Sequence, residues 1–392
     1  MITISNSPSF TNVSSFEELR RSSSDARFQA ASSIDQYIVE GPKLINLSGF
    51  QANPPIRPRK EEFSYLTERL DIPELSVYAL HDAKIFPGNI RKREESWHSY
   101  GQLIIDSNNN LFSESYGIMD GHKTLPQDLL NKKSNEDALT LTVSVEGLPR
   151  LAGTYLFLGS MHDHFGHFLV EGLSRLWILK YFSDEEISSL KVIIYEPGLI
   201  PPATKMLEYL GINKSQIIFL DTPCIVEKVI APSVGYRTHL WARDCMNYVY
   251  EKISAAALQE KHNEFPKKVF LSRNNVPSRK LSNEIELEAI YRNAGYWVFR
   301  PEDVPIGDQI RIVANADCIA GCTGSNMYLS MFQRAGGVNH IFAPYDFNLK
   351  DDAMISNMRK SDLTYILGTN LKDNQWSINA SEIGVFLKKV LV

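Results

Sequence analysis

Residues 267–344 read KKVFLSRNNVPSRKLSNEIELEAIYRNAGYWVFRPEDVPIGDQIRIVANADCIAGCTGSNMYLSMFQRAGGVNHIFAP, and the alternation inside this stretch decides the fold class. Short β-type runs at 269–271, 296–299, 318–320 and 338–342 are separated by segments with apolar residues at helical spacing. Asn283 with Glu286 three positions later predicts a capping box opening a helix that stops at Gly295. Further helices are expected over 306–315 and 324–334. The order β-α-β-α-β-α-β favours a parallel sheet, the mononucleotide-binding half of a doubly wound fold.

Working outward, strands are expected at 191–195, 216–220 and 227–231, giving a first α/β layer ahead of the second. Residues 75–117 carry short runs at 77–80, 102–105 and 111–116, broken by Pro87-Gly-Asn89 and Asn108-Asn-Asn110, which predict a small antiparallel sheet. Residues 1–35 are rich in Ser and Asn, and Asn53-Pro-Pro-Ile-Arg-Pro-Arg-Lys60 is proline-rich and basic, the composition of an extension and a linker. The expected division is therefore an extension over 1–60, an amino-terminal α/β domain over 61–262 and a carboxy-terminal one over 263–392.

Composition narrows the function classes. With 392 residues and a net charge of -5, the chain is long enough for two domains and lacks the basic excess of a general nucleic-acid binder. Four cysteines (Cys224, Cys245, Cys318, Cys322) fit neither a disulfide framework nor a zinc ribbon and point to packed thiols in a reducing compartment. The start has neither a charged n-region nor an apolar h-region, and no apolar run reaches spanning length, so the expectation is a cytoplasmic protein. Simple disorder is expected of the weakly hydrophobic extension, with peripheral membrane contact as the alternative.

In an open parallel sheet, ligands bind beyond the carboxyl ends of the strands. The rim here is Ser272 to Lys280, Arg300 to Glu302, Gly321 to Asn326 and Ala343 to Asp346. Gly321 and Gly324 admit close backbone approach to an anion, the following helix offers its positive end, and Thr323, Ser325 and Asn326 supply polar groups. That is diphosphate chemistry. Arg273, Arg279 and Lys280 add the charge needed on a leaving diphosphate, and Glu302 is placed to bind ribose hydroxyls. The competing reading is a solvated loop with surface ion pairs.

Phe165-Gly-His-Phe-Leu-Val-Glu171 with Arg175-Leu-Trp177, then Phe270-Leu-Ser-Arg273 with Arg279 and Asn283-Glu284, then Ala316 to Gly321 with Gly324-Ser325, resemble the ordered signatures of glycosyltransferase family 61. The resemblance implies an α/β protein of GT-B-like type, two Rossmann-type domains facing a cleft, beside the small antiparallel element. It implies an inverting hexosyl- or pentosyltransferase that uses a nucleotide-sugar, UDP-linked, with no resident cofactor or metal. The acceptor is then a hydroxyl of a glycan or glycolipid, as in surface polysaccharide synthesis. The carboxy-terminal domain is implied to hold the nucleotide and the amino-terminal one the acceptor, where His164 and Arg175 lie. Thr323 stands where the family has histidine, and His164 departs from the usual residue before Phe165.

An inverting transfer needs one base for the acceptor hydroxyl. His167 and Glu171, four apart, share one face if their segment is helical, so the glutamate can orient the imidazole or act itself. Asp163 is the next candidate. A competing reading has this pair merely tying the helix to a loop. A metal-dependent hydrolase built on His162, His164 and His167 is another alternative, although His239 and His340 stand alone downstream. A non-catalytic nucleotide-sugar-binding protein is the third, kept open by Thr323.

Overall fold

A computed structural model describes residues 2–3, 34–40, 43–46, 50–53, 69–87, 90–93, 96–99, 103–107, 112, 118–119, 122–123, 140–141, 146–161, 164–195, 199–260, 265–344, 347, 350–371 and 375–390. Two seven-stranded mixed sheets dominate it. Two early strands, β1 (Ile34–Glu40) and β2 (Phe50–Asn53), go to different sheets.

The first sheet contains β3 (Leu75–Phe86), β4 (Leu103–Ile105), β5 (Arg150–Gly159), β6 (Val192–Ile194), β7 (Ile217–Phe219) and β8 (Cys224–Pro232). Its order is β7-β6-β5-β8-β3-β1, with β4 also on β3. Strands β5 to β8 run parallel to their neighbours within that group, whereas β3 lies antiparallel to β8, β1 and β4. The antiparallel runs expected as a small separate sheet are thus one flank of the main sheet. A single twelve-residue strand pairs along almost all of β8, and Leu80, Ala83 and Ile85, each at 0 % exposure, join the same apolar cluster as Val226 and Val229. The run expected at 111–116 lies outside the described residues except for Phe112.

The second sheet contains β9 (Lys268–Leu271), β10 (Trp297–Phe299), β11 (Cys318–Cys322), β12 (Val338–Pro344), β13 (Asp362–Asn370) and β14 (Trp376–Ser377). The order is β10-β9-β11-β12-β13-β14, and β2 also pairs with β13. All these pairings are parallel except that of β14. Val269, Phe270 and Leu271 are all at 0 % exposure, and Ile319 and Ala320 likewise, as expected of strands covered on both faces. Segments read as extension and linker supply β1 and β2, one to each sheet.

Five helices carry residues that build or brace the site: α1 (Pro201–Tyr209), α2 (Met246–Glu260), α3 (Glu284–Asn293), α4 (Ile306–Asn315) and α5 (Lys350–Arg359). One apolar cluster includes Leu156 and Val192 of the first sheet and Val269 and Ile319 of the second, so the two layers share a core. Tyr209 of α1 and Arg311 of α4 both donate to Glu260 Oε2 of α2, at 2.7 and 2.8 Å.

Three local expectations are corrected. The helix expected over 324–334 is only a 3₁₀ segment, Met327–Phe332, whose six residues are all buried; with no solvent face, it packs as a plug rather than as an amphipathic α-helix. The motif at 161–177 is not one helix either. An α turn at Phe165–His167 passes into a π turn at Phe168–Gly172 and then a 3₁₀ segment at Leu176–Tyr181. Its carbonyls are engaged off the ladder: Ser174 Oγ donates to Glu171 O and Gly235 N–H to Ser174 O. Finally, Asn283 precedes α3 without capping it. Its amide instead bonds both Ile378 O and Ile378 N–H, at 2.8 and 3.2 Å, pinning the helix start to the carboxy-terminal segment.

Candidate active site

In the second sheet the chain moves from β9 outward to β10, then returns past β9 to β11. The carboxyl ends of β9 and β11 therefore flank a topological switch point, where open α/β sheets form their ligand crevice. Arg273 leaves β9 at this point and its Nη1 donates to Thr323 O beyond β11, at 2.8 Å. Two glutamates one turn apart on α3 hold the loop: Arg273 N–H donates to Glu284 Oε1 at 2.5 Å, while Ser272 Oγ and Asn274 Nδ2 donate to Glu288 Oε1 at 2.7 and 2.9 Å. Burial pushes the Glu284 carboxyl up to about 7, against the lowering effect of the Arg273 N–H.

Arg279 sits at φ +50, with its guanidinium 4.2 Å from the centre of the Phe347 ring and its carbonyl accepting from Trp376 Nε1 at 2.8 Å. Burial, and secondarily the charge of Arg273, lower its pKa. Its Nε has no hydrogen-bond partner among the described residues. Arg279, Phe347, Asn370 and Trp376 help line a cavity of about 320 Å³. Two expected donor residues are on the surface: Lys280 is exposed, its carbonyl accepting from Trp376 N–H, and Glu302 is exposed on a 3₁₀ turn beyond β10, the edge strand.

The glycine turn divides into separate jobs. Gly321 lies within β11, where a Cβ would come 2.8 Å from Leu271 O; it allows two strands to approach. Gly324, at φ +150, leaves the room that Arg273 Nη1 occupies, 3.0 Å from where a Cβ would stand. Thr323 turns its hydroxyl away from the rim and donates to Asp352 Oδ2 at 2.9 Å. Burial pushes Asp352 up to about 8, so at neutral pH it is chiefly protonated. Asn326 has both amide atoms buried and unpartnered among the described residues. The short 3₁₀ segment after this turn removes the expected α-helix dipole from the anion argument, leaving the guanidinium groups and the orphaned amide.

At the other motif, His167 Nδ1 and Glu171 Oε2 lie 2.8 Å apart, with 40 % and 20 % of their side chains exposed. The Glu171 bond raises the His167 pKa, burial opposing it. The exposed His164 ring stands edge-on to His167 at 5.1 Å. Gly166 brings this turn against the second sheet: a Cβ there would lie 2.5 Å from Ser325 Oγ. Arg175, expected on the acceptor side, is instead 6 % exposed; its guanidinium donates to Pro232 O and lies 5.2 Å from the Phe157 ring centre. That places it in the interior. Asp163 and His162 lie outside the described residues, and among the described ones no group of three or more His, Cys, Asp or Glu could hold a metal ion.

Sequence reasoning missed the hub that joins the two motifs. Asp351 and Asp352, in the first turn of α5, are 0 % and 2 % exposed. Asp351 Oδ1 accepts from Tyr236 Oη at 3.0 Å and from His239 N–H at 3.1 Å, while His239 Nδ1 lies 2.5 Å from Oδ2. Burial raises the pKa of Tyr328, which also bonds Asp351 and feels Glu171. Two adjacent aspartates at a helix start read as solvated first-turn charge, and only the position of that helix just past a rim strand could have flagged them. His239, which stands alone in sequence, is thus partnered; His340 is a core residue, its pKa lowered to about 4 by burial.

Residues 165–339 match the family model described as Glycosyltransferase 61. The match begins at the Gly166 turn, spans both arginine-bearing loops and the glycine turn, and ends in β12. The resemblance carried by the motifs is therefore a match to that family's model, and the family suggests glycosyltransferase activity with a sugar donor and a glycan acceptor. No curated protein matches the chain. No helix among the described residues is long and apolar enough to cross a membrane.

Proposed function

We propose that this chain is an inverting glycosyltransferase of GT-B type that moves a sugar from a nucleotide donor, UDP-linked, to a hydroxyl of a glycan or glycolipid acceptor in the cytoplasm. The observation that carries the reading is the Gly166–Ser325 contact, because it sets the His167–Glu171 pair of the first sheet beside the arginine-bearing switch point of the second.

The chemistry derives from that juxtaposition. The acceptor oxygen gives its proton to His167 Nε2, whose other nitrogen is oriented by Glu171, and attacks the anomeric carbon. The bond from that carbon to the phosphate oxygen breaks on the opposite face, its electron pair leaving with the diphosphate. Arg273 and Arg279 supply the positive charge that stabilises the departing group. The orphaned Asn326 amide and Arg279 Nε, costly when buried and unpaired, gain partners when the donor binds.

Binding of UDP, GDP, CDP and CMP measured by thermal shift and calorimetry, then transfer from the matching nucleotide-sugars, tests the reading. One nucleoside diphosphate should bind, Arg273→Ala should lose it, and Glu171→Gln should bind it normally but transfer at least about a hundredfold more slowly. Unchanged transfer in Glu171→Gln overturns the assignment of the base. Binding without transfer to any acceptor favours a sugar-nucleotide-binding module, and no nucleotide binding at all overturns the reading.

A further inference from the structure

We propose that His239, clamped by Asp351, is a catalytic residue that binds the departing diphosphate; the inference rests on the transferase reading. Asp351 and Asp352 are consecutive residues of α5 with different partners. Asp352 takes the Thr323 hydroxyl, and Thr323 in turn fixes Arg273 through its carbonyl. Asp351 accepts the backbone N–H of His239 at Oδ1, and its Oδ2 lies 2.5 Å from the ring Nδ1. One helix turn therefore ties the imidazole to the loop that carries the rim arginine. Thr323, its hydroxyl committed to Asp352, brings no imidazole to this rim; His239 brings one from the first sheet's side of the site.

The local backbone supports a placed side chain. His239 is a non-glycine residue at φ +59, a left-handed conformation that L side chains rarely adopt and that persists where surroundings impose it. Asp351 is the imposing group: it is wholly buried, accepts from the His239 backbone N–H and from Tyr236, and lies 2.5 Å from the ring. The His239 side chain is nevertheless 45 % exposed. Electrostatically His239 is felt both by His167, on the side of the acceptor base, and by Asp352, on the side of the arginines. An imidazole near both, tied through Asp351 and Asp352 to Thr323 and Arg273, would meet the phosphate oxygen as its bond to the sugar breaks. The ring stabilises the oxygen that receives the electron pair and needs to transfer no proton, so the acceptor proton still ends on His167 and the reaction balances.

The test separates diphosphate contacts from nucleoside contacts. Affinities of the intact chain for UDP and UMP are measured by calorimetry for the parent, His239→Ala, His239→Gln and Arg273→Ala, together with the transfer rate. His239→Ala should weaken UDP binding about tenfold or more while shifting UMP less than about twofold, and should lower the rate; His239→Gln, which keeps an N–H donor, should recover part of the loss. Melting temperatures control for folding, and the partial exposure of His239 makes both variants tolerable. Equal losses for UDP and UMP, or no loss for either, overturn the assignment of His239 while leaving the transferase reading intact. If the parent binds no nucleoside diphosphate, the transferase reading itself falls and takes this inference with it.

Discussion

Gly166 and Ser325 touch where the two sheets meet, so closely that the Ser325 hydroxyl fills the place of a side chain on Gly166, 2.5 Å from its would-be Cβ. Gly166→Ala should therefore displace the turn after β11, costing about 1–3 kcal/mol as overpacking does and reducing transfer more than tenfold. Ser325→Gly in the same chain should restore most of the melting temperature. A double-mutant cycle on thermal stability reads the coupling; additive effects would mean that the two turns do not press on each other.

The transfer rate should rise with pH through a midpoint above 6.5. His167 must be neutral to accept a proton, and the Glu171 bond raises its pKa, so protonation silences the base at lower pH. Glu171→Gln removes the charge that favours the imidazolium and should move the midpoint downward. A pH–rate profile under saturating donor makes the comparison, and identical midpoints would separate His167 from the rate.

Stability should fall, not rise, between about pH 5 and pH 8. Asp352 and Glu284 have folded-state values of about 8 and about 7, both above their ordinary ranges because of burial. Through this window the unfolded chain has released protons that the folded chain still holds, so raising the pH favours unfolding. Melting temperatures at pH 5 and pH 8 read the slope. Asp352→Asn, which keeps the shape without the charge, should flatten it.

Glu284 fixes the backbone of Arg273 from α3. Glu284→Ala should cost about 1–3 kcal/mol for the buried N–H left unpaired and weaken nucleoside diphosphate binding roughly tenfold by loosening that loop. Glu284→Gln, which retains an acceptor, should bind nearly as the parent does. Equal affinity in all three chains would show that Arg273 needs no such support.

Period and turn chemistry govern how much of the fold is legible in the sequence. Segment 306–315 is legible to the residue because its apolar spacing is helical along its whole length, and β9 to β12 are legible because parallel strands buried on both faces read as short apolar runs. The pairing of His167 with Glu171 also comes from spacing alone, since even the α-to-π turn keeps residues four apart on one face. The plug at Met327–Phe332 reads falsely as an α-helix because an all-buried segment has no amphipathic signature. Arg175 enters the acceptor-side group only through the family resemblance, and spacing gives no hint that Pro232 O and the Phe157 ring take up its guanidinium inside. The link between His239 and Asp351 is invisible for a different reason: 112 positions separate them, and nothing local to either records the other.

Among the described residues strand β2 pairs with β13, more than three hundred residues later. During synthesis that segment meets β13 only after some three hundred further residues have left the ribosome, while β1 has its partner β3 within a few dozen residues. The second sheet consequently closes last, at an edge that is available to a neighbouring nascent chain in the meantime. Assembly of the arginine-bearing half is thereby set by the order of translation as well as by its own core.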